Sequence, residues 1–196
     1  MSQIVVRDAL PSEISDVSRL VFASYGERGY CSVACATETE QYFDQKISSY
    51  ETLVVQKENR ILGTMRITLD KGKLPVDQEF PDQMAVVRKQ GSKVAYYSKF
   101  AVDQEYWGSK EIGIALILEA IRRWKQDAVD KAVMIVHPRH VHFYRLLGFK
   151  VVGDSVCAPG LEKAPAVMMV LEKFNFRDNH PILQNRFFAS PKAQNA

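Results

Sequence analysis

One short apolar run constrains the fold more than any other feature of the chain. Ala132-Val133-Met134-Ile135-Val136 carries no polar residue. A strand with one wet face alternates apolar and polar residues, whereas a strand apolar throughout is buried on both faces. Before it, about Glu111 to Gln126 places Ile112, Leu116, Ile117, Ala120, Ile121 and Trp124 on one helical face. Arg122, Arg123, Lys125 and Gln126 sit mostly on the other. After it, His140 to Leu147 reads as a short helix stopped at Gly148. A doubly buried strand between two helices calls for an α/β fold whose sheet is partly parallel and covered on both faces.

The rest of the chain fits that plan. Ile4-Val5-Val6 opens a strand, and Leu10-Pro11-Ser12-Glu13 starts a helix with Ile14, Val17, Leu20 and Val21 inward. Gly26 and Gly29 end it, and a second helix is expected over about 40–48. Thr52–Gln56 and Ile61–Leu69 read as strands around a Glu58-Asn59-Arg60 turn. A short helix is expected from Phe80 to about Lys89, then strands over 93–102, 149–152 and 165–171. Residues 1–174 make one domain, and 175–196 read as a tail ordered only by docking Phe187-Phe188.

Composition narrows the function classes. The net charge of +3 comes without a basic run or a zinc-finger spacing, which argues against nucleic acid. It suits a phosphate-bearing ligand or an acidic protein partner equally. The cysteines are Cys31, Cys35 and Cys157, an odd number that excludes a full disulfide framework and points to reduced thiols in a cytoplasmic protein. The N-terminus lacks a signal-peptide pattern, and no apolar stretch reaches the ~18 residues of a membrane span.

Two constellations carry candidate chemistry. The first is Tyr106-Trp107-Gly108-Ser109-Lys110-Glu111-Ile112-Gly113, a strand feeding a small-residue turn and a helix. Amides at such a helix start attract a phosphate, and the same residues serve equally as a plain strand-to-helix turn. The second is His137-Pro138-Arg139-His140-Val141-His142-Phe143-Tyr144. The histidines flank a proline with no acid or thiol nearby, which disfavours a metal; they suit capping or a substrate carboxylate. Phe143, Leu146 and Leu147 are read as core. Tyr144 is either a half-buried aromatic with a bonded hydroxyl or a proton donor to a departing thiolate. The Arg122, Arg123 and Lys125 face, and Arg88-Lys89, are either solvated or contacts for an acidic partner.

The segment Phe143-Tyr144-Arg145-Leu146-Leu147-Gly148-Phe149 resembles the helix-to-strand motif of the GNAT acyltransferase superfamily, in which the Tyr is the general acid. The order of elements over 4–173 is similar to that fold. Within it, the chain looks most like the long-chain N-acyl amino acid synthases, relatives of the acyl-homoserine-lactone synthases. Gly63-Thr64-Met65-Arg66-Ile67, Lys73–Phe80 with its Leu-Pro-x-Asp pattern, Tyr97-Ser98-Lys99-Phe100-Ala101-Val102-Asp103 and Val136-His137-Pro138-Arg139-His140 carry this resemblance. Gly29-Tyr30 also looks nearer to this group than to the lactone synthases, whose Trp-rich N-terminal segment is missing.

The resemblance implies a mixed central sheet with a splayed parallel pair. It implies an N-acyltransferase with an acyl thioester as co-substrate, no permanently bound cofactor and no metal. Tyr144, Ser98 and Lys99 would be catalytic. Phe100, Ala101, Val102, Gly108, Ser109, Lys110 and Gly113 would hold the donor, and Arg66, His137 and His140 the acceptor amine. Two departures matter. Glu111 stands in a loop meant for a pyrophosphate, which disfavours coenzyme A and favours acyl carrier protein as donor partner. Tyr96 stands where an acid is often found, which leaves the general base unnamed. An acetyl-coenzyme A-dependent enzyme and a non-catalytic acyl-binding module are the rival readings.

Overall fold

The computed structural model describes residues 4–30, 50–107, 110–157 and 165–172. The helix expected over 40–48, Cys31, Cys35, Gly108, Ser109 and the tail lie outside them. The elements are β1 (Val5–Asp8), α1 (Ile14–Glu27), β2 (Tyr50–Lys57), β3 (Arg60–Leu69), α2 (Pro81–Val87) and β4 (Val94–Val102). They continue as α3 (Lys110–Gln126), β5 (Lys131–Val136), α4 (Val141–Leu146), β6 (Lys150–Val151), β7 (Val156–Cys157) and β8 (Pro165–Glu172).

The sheet runs β1-β2-β3-β4-β5-β8-β6, with β7 pairing β8. β4 and β5 are parallel and the other neighbours antiparallel. The apolar run on β5 is divided between two faces. Ala132, Met134 and Val136 join the core under α3 and α4, while Val133 joins the core under α2. β8 follows the same rule, with Val167, Met169 and Leu171 on the first face and Ala166, Met168 and Val170 on the second. Burial on both sides is what a parallel segment covered by helices requires.

The α3 face is the expected one: Ile112, Leu116, Ile117, Ala120 and Trp124 are all buried. Its approach to the sheet depends on Gly63. A Cβ there would stand 2.6 Å from Ile112 Cγ2 and 3.2 Å from Leu116 Cδ1, so a glycine is needed for helix and strand to touch. On the opposite face, Val17 and Val21 of α1 pack on Val54 and Ala101. That seats α1 across the centre of the sheet, with its C-terminal end beside β4.

Three of the arginines on the basic surfaces are paired within the fold. Arg123 binds Asp8, Glu51 and Glu119, tying α3 to the first two strands, and Arg122 binds Glu119. Arg88 grips Asp70 and Asp77, and Asp77 accepts from the Leu74 amide at 2.6 Å. The Arg88 guanidinium and that amide hold the Asp77 carboxyl below its usual range. The Leu-Pro-x-Asp segment is thus clamped, and Leu74, Val76 and Phe80 are buried behind it. The expectation of a core role for Phe143 and Leu146 is corrected: they are 42% and 57% exposed, and only Leu147 is buried. A six-residue helix at the sheet margin covers the core with one side alone, which Tyr144 and Leu147 occupy. No helix among the described residues is long and apolar enough to cross a membrane.

Candidate active site

The parallel pair stops pairing early. Its register runs from Val94↔Lys131 to Tyr97↔Met134, although β4 continues to Val102 and β5 to Val136. The cause lies on the other side of β4. Thr64 opposes Ala101 and Arg66 opposes Ser98, so Lys99 and Phe100 together oppose Met65. This is a β-bulge, which bends its strand and steepens its twist. Lys99 sits there at φ 54°, a left-handed conformation that costs a non-glycine residue energy. The bend carries Ser98–Val102 away from β5 and opens a cleft of ≈ 380 Å³. That is a volume suited to a small-molecule substrate.

The cleft gathers most of the residues singled out in the sequence. Ser98, Lys99, Phe100, Ala101 and Val102 form the β4 wall, and Gly113 at the start of α3 adjoins them. A Cβ at Gly113 would meet the Phe100 ring at 3.3 Å, so the glycine lets the helix start approach the wall. Met65, Tyr97 and Met134 form an apolar floor. Tyr144 closes the side opposite β4, 9% exposed, its ring edge-on to Phe143 and Phe149. Burial pushes the Tyr144 phenol above its ordinary pKa, so it holds its proton through the physiological range. Arg66 is placed differently. It is 6% exposed beneath Tyr50, its guanidinium carbon 3.9 Å from the ring centroid, and it is not on the cleft wall.

At the mouth, β5 ends and Pro138 starts a 3-10 turn capped by His137, whose ring accepts from the Arg139 amide at 3.2 Å. His140 follows, one helical turn before Tyr144, so both face the cleft. Burial first, then Arg28, Arg139 and His137, lower His140 to about 4, and burial and Arg139 lower His137. Both imidazoles are therefore neutral at pH 7. Among the described residues no group of three or more His, Cys, Asp or Glu side chains is arranged to hold a metal ion.

The sequence reading missed Arg28 and gave Tyr30 no role. Arg28 lines the mouth with its guanidinium carbon 4.2 Å from the Trp107 ring centroid, and Trp107 donates to Val102 O at 2.7 Å. Tyr30 binds His140 at 2.7 Å across 110 residues of sequence. No local pattern signals either contact. Only the Gly29-Tyr30 resemblance drew attention to that segment. Arg28 and Lys99 thus border a cleft with no Asp or Glu among its described lining residues.

The profile of the N-acyl amino acid synthase FeeM family matches residues 16–172. No match is found among curated protein sequences. The chain superimposes on the solved structure of FeeM, an N-acyl amino acid synthase from uncultured soil microbes, with a TM-score of 0.78. The two are 25% identical over 94% of this chain and 99% of that one. A GNAT-family acetyltransferase from Streptococcus pneumoniae gives 0.59 at 20% identity, covering 88% of this chain and 100% of the other. The PaiA N-acetyltransferase of Thermoplasma acidophilum, solved with coenzyme A, gives 0.60 at 16% identity, covering 87% and 99%. These last two share the fold. The family match spans well over half of the sequence, including both walls of the cleft, so this chain belongs to the N-acyl amino acid synthase FeeM family and is an N-acyltransferase on a GNAT fold.

Proposed function

We propose that the protein transfers a long-chain acyl group from the pantetheine thioester of an acyl carrier protein to the amine of an amino acid. One observation carries this reading: the cleft at the β4–β5 splay joins a strand edge that β5 no longer pairs to a cationic mouth. The β4 edge beyond Tyr97 offers main-chain groups to the amides of pantetheine and to the oxyanion that forms during attack. Met65, Tyr97 and Met134 lead from the cleft to a second, apolar pocket of ≈ 40 Å³ between α3 and the sheet, the direction assigned to the acyl chain. Arg28 and Lys99 suit an acceptor that carries a carboxylate beside its amine. His137 lines the same mouth.

In this reading the neutral amine attacks the thioester carbonyl, and the C–N bond forms as the oxyanion develops. Collapse breaks the C–S bond, and the sulfur takes the Tyr144 proton. Alignment of amine and carbonyl supplies much of the rate. The carrier protein is favoured over coenzyme A because Glu111 stands exposed in the first turn of α3, where a pyrophosphate would meet it. Phe143 and Leu146 stand exposed beside Arg139 and Arg145, an apolar and cationic rim for an acidic carrier. Matched long-chain donors test the choice. The carrier-bound thioester is expected to give a kcat/KM about tenfold or more above the coenzyme A thioester, the scale of one charge clash. The reverse order would assign coenzyme A as donor.

A further inference from the structure

Aminolysis needs a group that removes a proton from the attacking nitrogen, and no carboxylate stands among the described residues of the cleft. What stands there is a hydrogen-bonded chain. Arg139 Nε donates to Tyr30 Oη at 2.8 Å, and Tyr30 Oη lies 2.7 Å from His140 Nε2. A guanidinium only donates. The same Nε also points at His140 Nε2, 3.4 Å away, so Nε2 faces a donor and is itself an acceptor. Tyr30 then accepts from Arg139 and directs its own proton to His140 Nε2, which places the ring proton on Nδ1. One lone pair of Tyr30 Oη is left, and both Tyr30 and His140 line the cleft.

The phenol is held from several sides. The His137 ring stacks on it with centroids 5.2 Å apart and planes 26° apart, the Arg139 guanidinium carbon lies 4.7 Å from its centroid, and Tyr25 meets it edge-on at 5.8 Å. Such fixing suits a group that must meet a reacting atom in one geometry.

We propose that Tyr30 and His140 form the relay that takes the amine proton, given the amine-acylating reading above. As the C–N bond forms, the nitrogen becomes an ammonium. Its N–H bond breaks toward Tyr30 Oη while the Tyr30 proton passes to His140 Nε2. Tyr30 ends neutral, His140 ends as an imidazolium, and the amide nitrogen ends neutral. The imidazolium then returns its proton to water, and water reprotonates the phenolate that Tyr144 becomes when the sulfur takes its proton, so the cycle closes with no net proton gained or lost. His140 acts through Tyr30 and is a positioning and proton-holding residue.

The charged and titratable groups around His140 are Arg28 at the end of α1, Tyr30 after it, His137 and Arg139 in the 3-10 turn, and Tyr144 one turn along α4. Burial first, and the two arginines after it, oppose the imidazolium, so His140 is an unprotonated acceptor in the free protein. An acceptor carboxylate at Arg28 offsets one of those cations. That removes one of the opposing charges, while the burial of the ring stays.

The test compares wild type, Tyr30→Phe and His140→Gln with two nucleophiles on one thioester donor: an amino acid, and hydroxylamine. Hydroxylamine is unprotonated at neutral pH, and its adduct loses a proton to water without help. Tyr30→Phe keeps the ring that His137 and Arg139 pack on. It is expected to lower kcat with the amino acid by about 10²-fold or more at unchanged donor KM, while hydroxylamine turnover stays within a few-fold of wild type. In His140→Gln the amino-acid rate is expected to rise with hydroxide across the range in which wild type is flat. Equal losses with both nucleophiles, or wild-type turnover of the amino acid by Tyr30→Phe, would overturn the relay. Wild-type protein that acylates neither nucleophile would instead overturn the amine-acylating reading.

Discussion

Tyr144→Phe is expected to lower turnover by about tenfold or more while donor affinity stays nearly unchanged. The phenol borders the cleft, and its hydroxyl has no hydrogen-bond partner among the described residues. The ring carries the packing, edge-on to Phe143 at 5.1 Å and to Phe149 at 5.9 Å. Phenylalanine keeps those contacts and removes only the proton donor, so the melting temperature should hardly move. Single-turnover thiol release from a bound acyl thioester reads the step directly. Normal release in the variant would remove Tyr144 from the chemistry. A large loss of stability would show that its hydroxyl serves the fold.

Leu116→Ala is expected to cost about 2–5 kcal/mol of stability. Leu116 is fully buried where α3 crosses the sheet, and it faces Gly63, where a Cβ would stand only 3.2 Å from Leu116 Cδ1. Gly63 itself has no side chain to swing into the vacated space, which limits how far the cavity can collapse. The position is away from the cleft lining. Urea unfolding should show a lower midpoint with an unchanged slope, and kcat of the folded fraction should be retained. A cost below about 1 kcal/mol would mean that α3 is not seated on β3 at this residue.

The parts of the fold legible in the sequence were those set by local pattern. β5 is apolar at every core position because helices cover both its faces, and α3 shows its buried stripe because one side alone meets the sheet. The parallel segment is confined to β4 and β5, where a helix links them, as the strand–helix–strand order requires. What escaped the sequence depends on distant partners. β8 lies between β5 and β6 although β6 precedes it in the chain. Arg123 of α3 could not be assigned from the sequence because its carboxylate partners Asp8 and Glu51 come from β1 and β2.

The site divides along the same line. The β4 segment and the His137–Tyr144 segment were legible because each is contiguous, and the splay brings them to opposite walls of one cleft. The bulge that causes the splay was not, since it depends on how β4 registers with β3. Arg66 drew attention as a cation in a strand motif, but strand alternation turns it to the α1 face, under Tyr50. Tyr30 and His140 meet only because α1 ends beside the turn that follows β5.

In the proposed reaction this cleft joins a long acyl chain to an amino-acid amine. The most direct measurement is mass spectrometry of the products formed by the purified protein from a long-chain acyl carrier protein and a pool of free amino acids. A new N-acyl amino acid is expected, whose formation depends on the protein and falls with Tyr144→Phe. Release of free fatty acid alone, or an N-acetyl product made solely from acetyl-coenzyme A, would contradict it.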